Sequence, residues 1–365
     1  MQGCAEDGTD PAGADDADVQ PGGSLRRRGL IAHARNASAS PKHVAFCLVT
    51  WTPWKQAWAQ ALYGDNGFYR QADGPAGHFS TASQGIPQIG TQLALGLVKL
   101  MEQEGLDTFV DMGCGRGELL EHVHRLNPHV HCIGVDIVER PGLSEPIDWI
   151  RSPGGHRLPD ELDALSGTLV FANEWLDVVP CPVAEMDESG ELREVLVDIV
   201  SGDEQPGEIV SGTDREWCQW FWPIDRLEPG DRIEIGETRD TAWDELLARL
   251  ATGLAVAVDY GHTIDSRPAS GTLTGFRQGR QSLPIPDGSC DLTAHVAMDS
   301  LTHDELMDQR TALRQLGVSG QTPPHELSRS DPTAYLHGLS AAAAATALTA
   351  KGRLGDFIWA FARAR

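Results

Sequence analysis

Short, nearly continuous apolar runs recur through the middle of the chain, separated by amphipathic stretches. The runs occupy residues 108–113, 130–136, 147–150, 168–174 and 254–261. Runs of this length without polar alternation are typical of strands covered on both faces. Between the first two runs, four leucine and valine side chains fall on one helical face: Leu119, Leu120, Val123 and Leu126. This strand–helix–strand order predicts a right-handed crossover and a parallel sheet.

Three further stretches have the pattern of helices. Residues 90–105 are amphipathic and end at a glycine suited to a helix C-terminus. The alanine-rich residues 340–350 also indicate a helix. Near the start of the ordered chain, Thr52 is predicted to cap a helix whose first residue is Pro53.

The sequence predicts that the chain is divided into three segments: an extension, a helical cap and a ligand-binding domain. Residues 1–48 begin with an acidic, Gly/Pro-rich stretch and are predicted to form a disordered extension. A basic, serine-rich stretch follows; it resembles a transit peptide, but the acidic stretch before it argues against that interpretation. A start of translation near Val49 is an alternative. We expect a helical cap at 49–106 and a ligand-binding domain at 107–365.

Residues 181–253 are predicted to form an insertion between the fourth and fifth strands. A hairpin is expected within 182–200 and a helix within 238–250. Between them, residues 215–227 carry three closely spaced tryptophans. Two interpretations stay open for this tryptophan-rich segment: a local core under the insertion, or a lid that forms a substrate wall.

The charge balance limits the classes of partner. The chain has 53 acidic and 29 basic residues and a net charge of −24, whereas nucleic-acid-binding faces are usually basic. We therefore expect no nucleic-acid partner and no adsorption to an anionic membrane.

No apolar stretch reaches 18 residues, which predicts no membrane insertion. The seven cysteines contain no CxxC pair, so we expect a reducing, cytoplasmic location and no metal site.

A glycine-rich turn follows the first predicted strand. In "VDMGCGRGEL", Gly113, Gly115 and Gly117 alternate, and Asp111 precedes them by two residues. Missing side chains let such a turn tighten and approach a ligand. Asp136 ends the next strand, where a carboxylate can accept hydrogen bonds from ribose hydroxyls. The G-x-G-x-G spacing differs from the dinucleotide fingerprint and disfavours an NAD(P)-dependent oxidoreductase.

Asn173 and Glu174 follow the fourth strand, at the edge of an open α/β sheet where ligands bind. Together they could accept hydrogen bonds from an amine or guanidinium that receives a methyl group, so we take them as the candidate catalytic residues. The alternative is that Asn173 caps a following helix and Glu174 is solvated.

Several segments in this order resemble the MidA family of class I S-adenosylmethionine (SAM) methyltransferases. They are "ALYGDNGFY", "GHFSTAS", "VDMGCGRGEL", "NEWLDVVP", "AVDYG", "GTLTGFR", "DLTAHV" and "GRLGDF", and they extend from about residue 51 to 357. The mitochondrial members act as complex I assembly factors and methylate a protein arginine. His78 and Ala82–Ser83 depart from the family pattern, in which Asp and Pro-Glu are usual.

The resemblance implies a Rossmann-like α/β fold, with a mostly parallel sheet and helices on both faces. It implies SAM as the cofactor, bound by Asp111, the glycine turn and Asp136, with Gly77 and Thr81 covering it. The function implied is methyl transfer to a nitrogen acceptor, including a protein arginine. A SAM-binding assembly factor with little turnover and a small-molecule methyltransferase remain alternatives.

Four residues in the later segments have both a functional and a structural interpretation. Arg277 and Arg280 could guide an acidic ligand or be a solvated pair. Asp291 and His295 could line the site, although a histidine in this setting is more often structural than a base.

Overall fold

The computed structural model describes residues 50–71 and 88–364. The predicted extension 1–48 lies outside these residues, and the boundary between 49–106 and 107–365 stays a prediction. The helices, in chain order, are α1 (Trp54–Tyr63), α2 (Ile89–Glu104), α3 (Glu118–Leu126), α4 (Gly212–Phe221), α5 (Glu237–Ala248), α6 (Gln309–Gln315), α7 (Leu327–Ser330) and α8 (Pro332–Leu348). In residues 50–71 and 88–364, no helix is long and apolar enough to span a membrane.

The strands form one large sheet and several smaller ones. In chain order they are β1 (Trp51–Pro53), β2 (Thr108–Met112), β3 (His131–Asp136), β4 (Ile147–Arg151), β5 (Thr168–Asn173), β6 (Val183–Met186), β7 (Leu192–Asp198), β8 (Glu204–Ile209), β9 (Arg232–Glu234), β10 (Gly253–Asp259), β11 (Gly261–His262), β12 (Thr274–Arg277), β13 (Arg280–Ser282), β14 (Asp291–Thr293), β15 (Val296–Ala297), β16 (Glu305–Asp308) and β17 (Ile358–Arg363). The five strands predicted from the apolar runs are β2, β3, β4, β5 and β10.

The large sheet has the order β4-β3-β2-β5-β10-β17-β16. The five strands from β4 to β10 are parallel, and β17 is antiparallel to both of its neighbours. The predicted mostly parallel α/β fold is therefore confirmed. The chain moves outward from β2 to β4 and then returns to β5 on the other side of β2. That reversal opens a crevice at the carboxyl ends of β2 and β5, where such sheets bind ligands.

Both faces of the large sheet are buried, which explains the continuous apolar runs. On β2, Phe109 packs into a core with α2, α3 and α8, while Val110 packs into a second core with α5 on the opposite face. Leu126 was expected on the buried face of α3. As the last residue of that helix it lies beyond the core and is 38% exposed.

The predicted insertion contributes to two different cores. Its predicted hairpin is present as β6 and β7, which join β1, β8 and β9 in a second, five-stranded sheet. The predicted helix is α5, whose Trp243 is fully buried against the large sheet. Helix α5 thus serves as the crossover helix between β5 and β10, and only the residues before it form an added layer.

The tryptophan-rich segment packs mainly into a core of its own. Trp217 and Trp222 are buried together against the second sheet, whereas Trp220 is 83% exposed. This arrangement favours the interpretation as a local core over that as a lid.

The first helix begins later than expected. Thr52 and Pro53 lie in β1 and pair with β7, so α1 begins at Trp54. The predicted cap at Thr52 was therefore wrong, because strand pairing with a distant segment takes these residues. Trp58 is fully buried, and its indole donates a hydrogen bond of 3.0 Å to the carbonyl of Leu292 in β14.

Replacing Trp243 with alanine tests whether α5 belongs to the main core. We expect Trp243→Ala to lower the free energy of unfolding by about 3–5 kcal/mol, because a large buried side chain is lost. The loss includes its hydrogen bond of 2.8 Å to the carbonyl of Thr302. In urea denaturation, the control Trp220→Ala should change stability by no more than about 0.5 kcal/mol. Equal losses in the two variants would contradict this placement of α5.

Candidate active site

A cavity of about 840 Å³ lies at the carboxyl ends of the parallel strands. It occupies the crevice where the strand order reverses, which is where an open α/β sheet is expected to bind its ligand. Most of the predicted site residues in the described part of the chain line it: Asp111, Gly113, Gly115, Asp136, Asn173 and Glu174. Gly117 does not, although its neighbours Arg116 and Glu118 do. The predicted cover residues Gly77 and Thr81 lie outside the described residues.

The glycine turn depends on backbone conformations that favour glycine. Gly113, Gly115 and Gly117 have φ angles of 68°, 59° and 77°, in the left-handed region. A Cβ atom on Gly113 would lie 3.3 Å from the side chain of Trp175. A Cβ atom on Gly115 would meet no protein atom within 4 Å, although Gly115 lines the cavity. The turn therefore exposes bare backbone to the space where a ligand could lie.

The carboxylate of Asp136 fixes this turn to the end of β3. Its two oxygens accept hydrogen bonds from the backbone N–H of Gly115, at 2.7 Å, and from that of Val138, at 3.1 Å. Burial raises the pKa of Asp136 to about 6, against the opposing effect of these N–H groups. The sequence pattern predicts the place of Asp136 beside the cavity but not its hydrogen bond to Gly115.

Asp111 is almost fully buried at the end of β2. Burial raises its pKa well above the usual value, and the negative charges of Asp136 and Glu118 raise it further. This end of the cavity therefore combines an acidic wall with a glycine turn.

Asn173 and Glu174 form a hydrogen-bonded pair at the end of β5. The side-chain amide of Asn173 donates to Oε1 of Glu174 at 3.0 Å. Glu174 has a φ of 52°, a left-handed conformation that costs a non-glycine residue about 1–3 kcal/mol and is commonest at functional sites. Its backbone N–H donates to the carbonyl of Val258 at 2.8 Å, which holds this conformation. Residues 174–180 contain no helix, so the alternative in which Asn173 caps a following helix is wrong.

A second group of acids surrounds this pair. Asp177 and Asp291 line the cavity, and Asp259 is buried behind them. The hydroxyl of Tyr69 donates to Oδ1 of Asp291 at 2.8 Å. Burial is the main cause that raises the pKa of Asp291 to about 8. The sequence interpretation had placed Asp291 near the site, but Asp177 and Tyr69 were missed.

Two signals in the sequence could have revealed the missed residues. Asp177 lies within "NEWLDVVP", three residues after Glu174. Tyr63 and Tyr69 flank the glycines of "ALYGDNGFY", and both line the cavity. Their rings lie 5.5 Å apart, and burial raises the pKa of each hydroxyl well above its usual value.

The other polar candidates lie beside the cavity rather than in its lining. His295 is exposed and stacks on Tyr260, with the ring centroids 6.0 Å apart. Arg277 and Arg280 face each other across the β12–β13 hairpin and are both exposed, as a solvated pair would be. Within residues 50–71 and 88–364, no group of three or more His, Cys, Asp or Glu residues could hold a metal ion.

Comparison with known proteins identifies the family. Residues 92–318 match a family model, Methyltransf_28, described as "Putative S-adenosyl-L-methionine-dependent methyltransferase". The chain belongs to this family. The resemblance inferred from the motifs is thereby confirmed, and the protein is a SAM-dependent methyltransferase. No curated protein matches the chain.

Two solved structures support the fold of this methyltransferase. One is a COG1565 superfamily member from Burkholderia thailandensis bound to S-adenosyl-homocysteine; it is 21% identical, covers 86% of this chain and 88% of its own, and has a TM-score of 0.68. A native structure of a COG1565 superfamily protein from the same organism is 22% identical, with coverages of 86% and 87% and a TM-score of 0.65. At these identities the likeness shows the fold alone.

The raised pKa of Asp291 predicts how stability of the methyltransferase depends on pH. Between the ordinary pKa of 3.8 and about 8, the folded protein keeps this carboxyl protonated while the unfolded chain ionises it. The folded state binds more protons, so this group makes stability fall as the pH rises through that window. Asp291→Asn removes this effect. The difference in melting temperature, variant minus wild type, should therefore be at least about 2 °C more positive at pH 8 than at pH 5.

Thermal melts at both pH values measure this difference. The control is Asp287→Asn, which removes an exposed carboxylate four residues away and should show no comparable pH-dependent difference. A pH-independent difference in Asp291→Asn would show that the carboxyl is ionised in the folded protein.

Proposed function

We propose that the cofactor half of the cavity is built from the glycine turn, Asp111 and Asp136. The open space at Gly115 supports close approach of a ligand to the backbone. Asp136 lies at the end of β3 with its carboxylate at the cavity, where it can accept hydrogen bonds from ribose hydroxyls in addition to the two N–H groups it holds. Asp111 would orient the amino-acid end of SAM. We also assign Gly77 and Thr81 to the cover of this half, on the family resemblance alone.

We propose that the other half of the cavity binds a nitrogen acceptor as a cation, and that the acceptor is a guanidinium such as that of a protein arginine. The observation that carries this proposal is the Asn173–Glu174 pair, held in a strained conformation at the edge of the cavity. Asp177 adds a second acidic group to the same wall, and Asp291 adds a carboxyl group that stays protonated up to about pH 8. A cationic donor of several N–H groups complements such a wall better than a neutral acceptor does.

The reaction needs positioning and one proton acceptor. When bound, SAM supplies an electrophilic methyl group on a positively charged sulfur. The new N–C bond forms as the S–C bond breaks with its electron pair on sulfur, and one proton leaves the acceptor nitrogen. We assign Glu174 to orient that nitrogen and take the proton, and Asn173 to hold Glu174 in place. Tyr63, Tyr69 and Tyr260 would restrict water around them.

Mass spectrometry of a lysate incubated with the enzyme and isotope-labelled SAM tests the acceptor class. We expect label on arginine side chains of protein. Label only on oxygen, carbon or sulfur atoms would overturn the nitrogen assignment. SAM binding without label transfer would favour an assembly factor with little turnover, and label on a free amine would favour a small-molecule methyltransferase.

The glycine turn can be tested with two matched substitutions. Gly115 and Gly190 both have positive φ angles, of 59° and 80°, and at neither would a Cβ atom meet protein within 4 Å. Valine at either position should therefore cost a similar backbone strain, about 1–2 kcal/mol. Because Gly190 lies in the β6–β7 turn, away from the cavity lining, only Gly115→Val should reduce SAM affinity, by at least tenfold in calorimetry. Equal SAM affinities would remove the glycine turn from the cofactor site.

Glu174→Gln should separate cofactor binding from turnover. The substitution preserves size and removes the charge, so SAM affinity should change by less than about twofold. Loss of a charge-assisted bond to a guanidinium costs about 1.5–3 kcal/mol, so turnover should fall at least tenfold. The surface variant Glu188→Gln, which loses the same charge from the β6–β7 turn, controls for the change in net charge. Wild-type turnover in Glu174→Gln would reject its role at the acceptor, whereas lost SAM affinity would place it in the cofactor half.

A further inference from the structure

Asp177 is held in place through nearly all of its polar atoms. Its backbone N–H donates to Oδ2 of Asp259 at 3.2 Å, and its backbone carbonyl accepts from Nη2 of Arg239 at 2.9 Å. One side-chain oxygen, Oδ2, accepts from the hydroxyl of Thr293 at 2.6 Å. The residue is 4% exposed. Both its backbone and its carboxylate therefore have fixed positions.

The remaining oxygen of Asp177 has no donor. Oδ1 is buried and has no hydrogen-bond partner among the described residues, yet Asp177 lines the cavity. A buried acceptor left without a partner costs about 1–3 kcal/mol, and a charged one costs more. The hydrogen bonds that the nearby guanidinium of Arg239 makes go to backbone carbonyls, so they do not supply this oxygen.

A comparison with Asp259 shows which of the two unpaired carboxylate oxygens belongs to a residue at the cavity. Its Oδ1 is also buried without a partner, but Asp259 is fully buried and lies outside the cavity lining. Asp259 instead supports the turn from behind, because its Oδ2 accepts from the backbone N–H groups of Leu176 and Asp177. Asp177 is therefore the one of these two acids that borders the cavity.

We propose that Asp177 is a second carboxylate that binds the methyl acceptor. Its Oδ1 accepts a hydrogen bond from one nitrogen of that group, while Glu174 holds another nitrogen of the same group. This inference rests on the proposed function, since it requires a cationic nitrogen acceptor. Glu174 and Asp177 lie three residues apart in one turn, and both line the cavity. Two carboxylates in such a turn match a group with N–H donors on two nitrogens and disfavour an acceptor with a single nitrogen.

Thr293 acts on the acceptor through Asp177. Its hydroxyl occupies Oδ2 and so leaves Oδ1 as the oxygen available to a ligand. Replacing Thr293 with valine keeps the shape of the side chain and removes the hydroxyl. The carboxylate then loses its orientation but keeps its charge, so the effect on ligand binding should be smaller than that of removing the carboxylate.

Binding of two small probes to the protein saturated with S-adenosylhomocysteine tests the proposal. Methylguanidinium carries the cationic N–H groups, and methylurea is its neutral counterpart of similar shape. Saturation-transfer NMR titrations should show tighter binding of methylguanidinium to the wild type. Asp177→Asn should weaken that binding at least tenfold and Thr293→Val about threefold, with the affinity for S-adenosylhomocysteine unchanged in both. Asp240→Asn, which removes another acid that holds a serine hydroxyl but lies away from the cavity, is the matched control.

The possible outcomes separate this inference from the proposed function. Equal methylguanidinium affinity in wild type and Asp177→Asn overturns the role of Asp177 and leaves the guanidinium acceptor standing. A wild type that binds methylguanidinium no better than methylurea overturns the guanidinium acceptor, and the role of Asp177 with it. If Asp177→Asn does not fold, Thr293→Val decides, because unchanged affinity in that variant contradicts the proposal.

Discussion

The guanidinium of Arg239 is buried where four segments of the chain meet. It donates hydrogen bonds to the carbonyls of Val179 and Asp177 in the turn after β5, and to that of His295 between β14 and β15. It also lies 5.6 Å from the ring centre of Trp58 in α1. Since Arg239 belongs to α5, which packs on the large sheet, one side chain fixes the turn, the β14 segment and α1 relative to the sheet. The part of the cavity that we propose binds the methyl acceptor has its shape because these segments meet there.

This buried cation also counters the cost of placing several acids together. Burial is the main cause that raises the pKa of Asp259; the negative charges of Asp177 and Glu174 raise this pKa further, and Arg239 acts in the opposite direction. Burial of like charges opposes folding unless a proton, a counter-charge or a ligand compensates it. One cation among these carboxylates leaves an acidic surface at the cavity. Such an arrangement is hard to explain by stability alone and is typical of a site selected for binding or chemistry.

The sequence predicted the features of this protein that depend on neighbouring residues. Apolar runs located the parallel strands, and glycine spacing with Asp111 and Asp136 located the turn, because strand burial and turn conformation leave local patterns. Features that join distant segments were missed. Tyr69 bonds to Asp291 across 222 positions and Thr293 to Asp177 across 116. The predicted cap at Thr52 failed for the same reason, since its strand partner lies in β7.

The two halves of the cavity have different structural origins, and this limits what the fold reveals. The proposed cofactor half follows directly from the large sheet, whose strand ends supply the glycine turn and Asp136. The acceptor half takes Glu174 from the sheet edge but Tyr63 and Tyr69 from the α1 region and Asp291 from β14. A similar sheet in another protein is therefore better evidence for the same cofactor than for the same methyl acceptor. If the proposed halves are right, substitutions in α1, β14 and the residues that Arg239 holds change the acceptor specificity, while the glycine turn stays the same.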